Sequence, residues 1–403
     1  MRVRNFLYAT MIACAFASCS KDDVIENGPD AKGDASLTIK IDTNGTKAVG
    51  EGDAKINELS VFLYKVSGET KTLAGQQYVE ANYNTDGQIV FEDLTAGDTY
   101  MCVGFANLGN VTVEQAAGTN PLGLSIAEEL YAADDIPMHG VSDNVPISAT
   151  GTNVATINLT RDLAKVELTA VTLNMNYLNV DGTRFGDYTG GTAKFKFNSA
   201  SINAAVQAGS YTYSNAGTYT YAMVQTPTYV GGLTGWSWNK GEDVSYSNTS
   251  TLSGYEIIGT DLAEATQTIG TPAGNASEED KKAYAAQTVA KPKSVVFYVL
   301  PNPAASNTTL TLKGTMTLED AATASQSNIN NTVTGYYNIE IGKDATVSEG
   351  FSYDGTGVHA NDYFKIQAIV VGTGSGLGGD KPKLIVKTTV AAWNEISQIA
   401  PVK

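Results

Sequence analysis

The sequence is short of histidine, cysteine and charge. Its only histidines are His139 and His359, and its three cysteines are Cys14, Cys19 and Cys102. Neither histidine has a cysteine or a second histidine at ligand spacing, so a zinc site of the usual pattern is excluded. Cys14 and Cys19 belong to an N-terminal apolar leader, which leaves Cys102 alone and no disulfide framework to draw. Stability therefore has to come from apolar cores, which a chain of 403 residues can bury. Cys102 lies in the apolar run Tyr100 to Phe105 and reads as a small buried hydrophobe. Charged residues make up 17% of the chain and sum to −16. Phosphate binding needs clustered Lys and Arg, so nucleic acid is excluded as a partner, and an anionic bilayer surface repels such a chain.

Catalytic patterns are also missing. No nucleophile elbow occurs, and the paired carboxylates Asp134-Asp135 and Glu278-Glu279 sit in surface-type segments. Gly374 to Gly379 matches G-x-G-x-x-G after a strand, but Asp380-Lys381-Pro382 and another strand follow it. A dinucleotide site needs a helix N-terminus there, so the segment reads as a hairpin connection. The expectation is a non-enzyme without cofactor or metal.

What is present is a leader and many short strands. Arg2 and Arg4 precede an apolar run, Phe6 to Phe16, too short to span a bilayer. Ala17-Ser18-Cys19 closes it in the manner of a lipobox, with Cys19 as the residue to be lipidated and 1–18 as signal peptide. Phe16 departs from the leucine common in that motif. Residues 20–34 form a polar tether. Ser36 to Asp42 then alternates: Leu37, Ile39 and Ile41 on one face, Thr38, Lys40 and Asp42 on the other. That is the period of a half-buried strand. The segment from Asn44 to Gly50 is an exposed loop.

Further strands are expected at Glu58–Tyr64, Gln76–Tyr83, Gln88–Phe91, Thr99–Phe105, Ala155–Leu159 and Ala164–Leu173. Beyond these they recur near 192–206, 218–225, 293–300, 308–318, 333–341, 362–371 and 383–393. Two helices are expected, Ile126–Ala133 and Ser277–Val289, the second with Ser277 as N-cap and acidic residues in its first turn. This density of short strands predicts an all-β sandwich architecture, with a domain boundary near residue 160. The loop 231–254 carries Trp236 and Trp238, a candidate surface for stacking on sugar rings.

Four features, in order, resemble the type V pilins, the fimbrial subunits of the Bacteroidales. They are the lipoprotein leader followed by Ser20-Lys21-Asp22-Asp23, and the alternating first strand ending in Thr46-Lys47-Ala48. Then come Ile136 to Gly140 with Leu159 to Val166, and a closing strand from Leu384 to Trp393 with a tail to Lys403. The resemblance implies two transthyretin-like β-sandwich domains with minor helices, 48–159 and 160–403. It implies export as a lipoprotein to the outer membrane surface and a cut by a trypsin-like protease between Lys47 and Ala48. Residues 19–47 would leave as a propeptide, taking lipid and first strand together. The family's cut typically follows Arg, where this sequence has Lys47. The resemblance further implies a fibre of copies of this chain, with anchor and tip subunits as partners. Each copy would accept a donor strand from a neighbour's segment 391–403, which carries Trp393, Ile396, Ile399 and Val402. Two other readings stay open: a monomeric surface lipoprotein that binds glycan or host protein, and a tip or accessory subunit.

Overall fold

The computed structural model describes residues 33–42, 55–80, 89–111, 133–178, 187–203, 264–270, 295–302, 308–348, 352–373 and 384–393, with short pieces at 125–127, 277–279 and 288–290 and within 205–258. Ten strands lie in the first 173 residues: β1 (Ala35–Asp42), β2 (Glu58–Ser67), β3 (Thr70–Glu80), β4 (Val90–Leu94), β5 (Thr99–Ala106), β6 (Ser125–Ala127), β7 (Met138–Ser142), β8 (Val145–Pro146), β9 (Asn153–Arg161) and β10 (Ala164–Leu173). The first sheet has the order β3-β2-β5-β7-β9-β1-β4, with β8 added on β5. Its two ends approach each other: Gln77 Nε2 donates to the Val90 carbonyl at 2.6 Å. The rolled sheet encloses one core, built from Leu37, Ile39, Leu59, Val61, Cys102 and Ile157 among others.

β2 and β5 are buried on both faces, which accounts for their near-continuous apolar runs. Their inner side chains fill the roll. Their outer ones, Phe62, Tyr64, Met101, Val103 and Phe105, enter a second cluster with Leu163, Tyr298, Leu300 and Trp393. Beyond Arg161 the two larger sheets among the described residues face each other. One has the order Thr288–Ala290, β10, Asp362–Val370, Leu384–Ala392, Thr346–Val347. The other has the order Glu256–Ile258, Thr192–Asn203, Thr309–Ala321, Ile329–Glu340. Val166, Leu168, Phe364 and Ile366 meet Phe195, Phe197, Leu312 and Tyr337 between them, which makes a sandwich.

The described residues are nearly all β, as expected, but both expected helices need correction. Ile126 and Ala127 belong to β6, which pairs antiparallel with Ala208–Ser210. In the second segment Glu278 and Glu279 are helical, yet Thr288 and Val289 lie in a strand paired with β10. In both places pairing with a distant strand overrides local helical preference.

One pair of glycines lets the backbones of the roll approach closely. Gly104 of β5 faces Gly140 of β7. A Cβ on Gly140 would stand 2.2 Å from the Asn158 carbonyl oxygen and 3.0 Å from the Ile157 side chain. Backbone cannot give way there as a flexible side chain can. Gly140→Ala is therefore expected to cost about 3 kcal/mol or more, read as a lowered denaturation midpoint at unchanged m-value.

Candidate functional site

The candidate site is the first strand and its seat. β1 lies inside the sheet, between two partners. It runs parallel to β9 over six registered pairs, from Leu37 opposite Asn153 to Asp42 opposite Asn158. It runs antiparallel to β4, with Ala35 opposite Leu94 and Thr38 opposite Val90. Ile39 N–H donates to the Ile89 carbonyl at 3.0 Å. Asn153 fastens the N-terminal end, its Nδ2 donating to the Ser36 carbonyl at 2.9 Å.

The alternation of the sequence becomes an alternation of burial. Leu37 and Ile39 are completely buried and Ala35 and Ile41 nearly so, while Ser36, Lys40 and Asp42 are exposed. Three side chains of this size contribute roughly 1.5–3 kcal/mol each, so on the order of 5–9 kcal/mol of apolar burial resides in one eight-residue strand. No other part of the first sheet depends on β1 for its connection to the chain, since β1 stands first in sequence.

The other sequence-derived positions are distributed as follows. Cys19, Lys47, Ala48, Ile396, Ile399 and Val402 lie outside the described residues, as do Trp236, Trp238 and the Gly374–Gly379 loop. Trp393 is described and almost fully buried. It stacks on Tyr298 at 5.4 Å between centroids, with 12° between planes. The Arg161 guanidinium lies 4.8 Å above its ring. Trp393 thus closes the cluster shared by the first sheet and the sandwich. Cys102 is buried, and burial pushes its thiol up to about 12, which keeps it un-ionised and inert. Among the described residues no group of three or more His, Cys, Asp or Glu is placed to hold a metal ion.

Sequence reasoning missed the link between β9 and β10. His139 of β7 meets Asp162 through Nδ1, and the Asp162 side chain has no exposure at all. Asp162 N–H also donates to the Pro137 carbonyl at 3.0 Å. The signal was the closeness of one histidine and one buried-type Arg-Asp-Leu step, but nothing in sequence distance announces that they touch. Burial pushes the His139 pKa down; the charge of Asp162 and its hydrogen bond push it up and prevail. The charged imidazole is thus favoured by folding. Its contribution is complete below the unfolded value of about 6.5 and fades as pH rises through the raised folded value. The melting temperature is expected to fall as pH is raised from about 6.5, and His139→Gln to flatten that slope. An equal slope in the variant would remove this pair as its source.

Comparison with known proteins bears on this arrangement. Residues 35–207 match the family model described as Major fimbrial subunit protein (FimA). Over this segment the chain is similar to the fimbrial subunits of that family. The match begins on the first residue of β1 and takes in the whole rolled sheet. A search of curated proteins returns no match. Among solved structures, a candidate cell adhesion protein from Parabacteroides distasonis aligns at TM-score 0.54 and 17% identity, covering 89% of this chain and 99% of the other. A fimbrilin from Porphyromonas gingivalis aligns at TM-score 0.47 and 17% identity, covering 92% and 100%. The likeness in fold rests on the first of these two.

Proposed function

We propose that this chain is a stalk subunit of a surface fimbria that supports adhesion. It is exported as a lipoprotein carrying its lipid on Cys19, cut between Lys47 and Ala48 by a trypsin-like protease, and polymerised by strand replacement. One observation carries the reading: β1 is a discrete, fully seated strand that leads straight into the segment containing Lys47. Losing it uncovers the groove between β9 and β4. The apolar seats of Leu37, Ile39 and Ile41 then lack occupants, and backbone groups on both walls lose partners. A strand from another copy restores both by β-augmentation. Repeated head to tail, this builds an open filament. The donor in this reading lies in the segment 391–403, in the part beyond Trp393, which stays seated in its own subunit, and the chain divides near residue 160. Before the cut the lipid holds the precursor to the outer membrane; afterwards the partners are further copies with anchor and tip subunits.

The test is trypsin treatment of the purified full chain, read by mass spectrometry and by unboiled gels. A product starting at Ala48 together with a ladder of detergent-resistant oligomers is expected. Deleting 394–403 is expected to abolish the ladder. A chain that is cut and stays monomeric at every concentration would refute the stalk reading and favour a monomeric adhesin.

A further inference from the structure

We propose that the groove vacated by β1 is closed at its Ala35 end and so fixes the register of the strand that replaces β1. The partner is an extended segment with apolar residues at alternate positions. At the place of Gly33 it carries a glycine or no residue at all. This rests on the reading above that β1 is removed.

β4 and β9 build the closed end together. Leu37 lies opposite Phe91 and Ala35 opposite Leu94, so three residues of β4 advance against two of β1. That is a bulge, and Asp93 within it takes a left-handed backbone, φ 58°. Past the bulge, β4 lies against Gly33, whose N–H donates to the Asp93 carbonyl at 3.2 Å. A Cβ on Gly33 would stand 1.8 Å from the Leu94 carbonyl oxygen and 2.4 Å from Thr95 N. Both are main-chain atoms, so no rotamer relieves the clash. From β9 comes Asn153, which is 8% exposed. Ser148 holds its amide at both ends: Oδ1 accepts Ser148 N–H at 2.9 Å and Nδ2 donates to the Ser148 carbonyl at 3.1 Å. Neither bond involves β1. Nδ2 also donates to the Ser36 carbonyl, and loss of β1 removes that acceptor. A buried donor deprived of its acceptor is costly, which favours a strand that puts a carbonyl in the same place.

The seats beyond this end, those of Ala35, Leu37, Ile39 and Ile41, form one buried row. A slip of one residue would turn the whole row outward. A strand refused at the closed end therefore has to move by two. It has somewhere to go, because β9 continues from Asn158, opposite Asp42, to Arg161.

The test uses the full chain carrying Val154→Cys or Thr156→Cys, cut by trypsin and given an excess of synthetic peptide. The peptide has the sequence of residues 33–42 with Thr38→Cys. Thr38 pairs with Val154, and Lys40 with Thr156. Once 1–47 is removed, the only other thiol of the chain is the buried Cys102. Mild oxidation is expected to link this peptide to position 154 in at least tenfold preference to 156. Adding Gly33→Val to the peptide is expected to reverse the preference, as each side chain moves one seat along the row. A peptide of residues 35–42, with nothing at the place of Gly33, is expected to link at 154 like the first. A Gly33→Val peptide that links at 154 as readily as its parent would overturn the closed end and leave strand replacement standing. A cut chain that captures no peptide at either position would overturn strand replacement, and this inference with it.

Discussion

Replacing Ile39 with Asp is expected to release the first strand while the rest of the molecule stays folded. Ile39 has no exposed surface, and its neighbours Leu37 and Ile41 point into the same core. The substitution forfeits roughly 1.5–3 kcal/mol of apolar burial. It also asks a carboxylate to enter a site with no polar partner, at a further cost of at least a few kcal/mol or a proton taken up to avoid it. Together these offset most of what holds β1, on the order of 5–9 kcal/mol from its three large apolar side chains. The strands β2, β5, β7 and β9 keep their own ladders when β1 leaves. The loss should therefore be local. Hydrogen exchange is expected to speed up over 36–42 and on the facing positions of β9 and β4, with the sandwich beyond Arg161 unchanged. Lys40→Ala, on the exposed face of the same strand, is expected to stay within about 0.5 kcal/mol of the parent. If Ile39→Asp unfolds both regions together, β1 is a structural keystone and not a separable strand, and the proposed maturation loses its basis.

The sequence made β1 legible because its period is regular and its surroundings asymmetric. Three apolar positions at every second residue, Leu37, Ile39 and Ile41, with polar residues between, have one reading. β10 was read to the residue, Ala164–Leu173, for the same reason. β7 was not seen as a strand. Met138-His139-Gly140-Val141-Ser142 has a glycine at its centre and no strong β preference, and it is a strand because β5 and β9 hold it on both sides. The first half of β3, Thr70 to Gly75, was missed because it is an edge with exposed Thr and Ala and little apolar alternation. The helical misreading at Ile126 has the matching cause, since its strand partner lies some eighty residues away, about Gly209. As for the candidate site, the apolar row was visible, but its seat was not. That β1 lies between β9 and β4, and parallel to the first of them, follows from topology that no local pattern encodes.

Trp393→Ala is expected to uncouple the first sheet from the sandwich. Each has a core of its own, and the cluster of Phe62, Phe105, Leu163, Tyr298, Leu300 and Trp393 joins them. Trp393 is its outer wall, with Tyr298 on one face and Arg161 on the other. Removing a buried Trp costs about 3–5 kcal/mol, of which the cation–π contact accounts for roughly 0.5–2 kcal/mol. Arg161 ends β9 and Asp162 continues it into the link, so the cavity opens where the two parts meet. The parent chain is expected to melt in one calorimetric transition and Trp393→Ala in two, with the lower one separated by several degrees. Trp393→Phe keeps the stack on Tyr298 and is expected to retain a single transition at reduced temperature. In a fibre built as proposed, tension on the donor segment reaches the fold at Trp393, so the same cluster bears the load between one subunit and the next. Fibres of Trp393→Ala should then break at lower force than parent fibres while monomers of both still bind a supplied donor peptide. Equal breaking force would place the load path elsewhere, in the pairing of Leu384–Ala392 with Asp362–Val370.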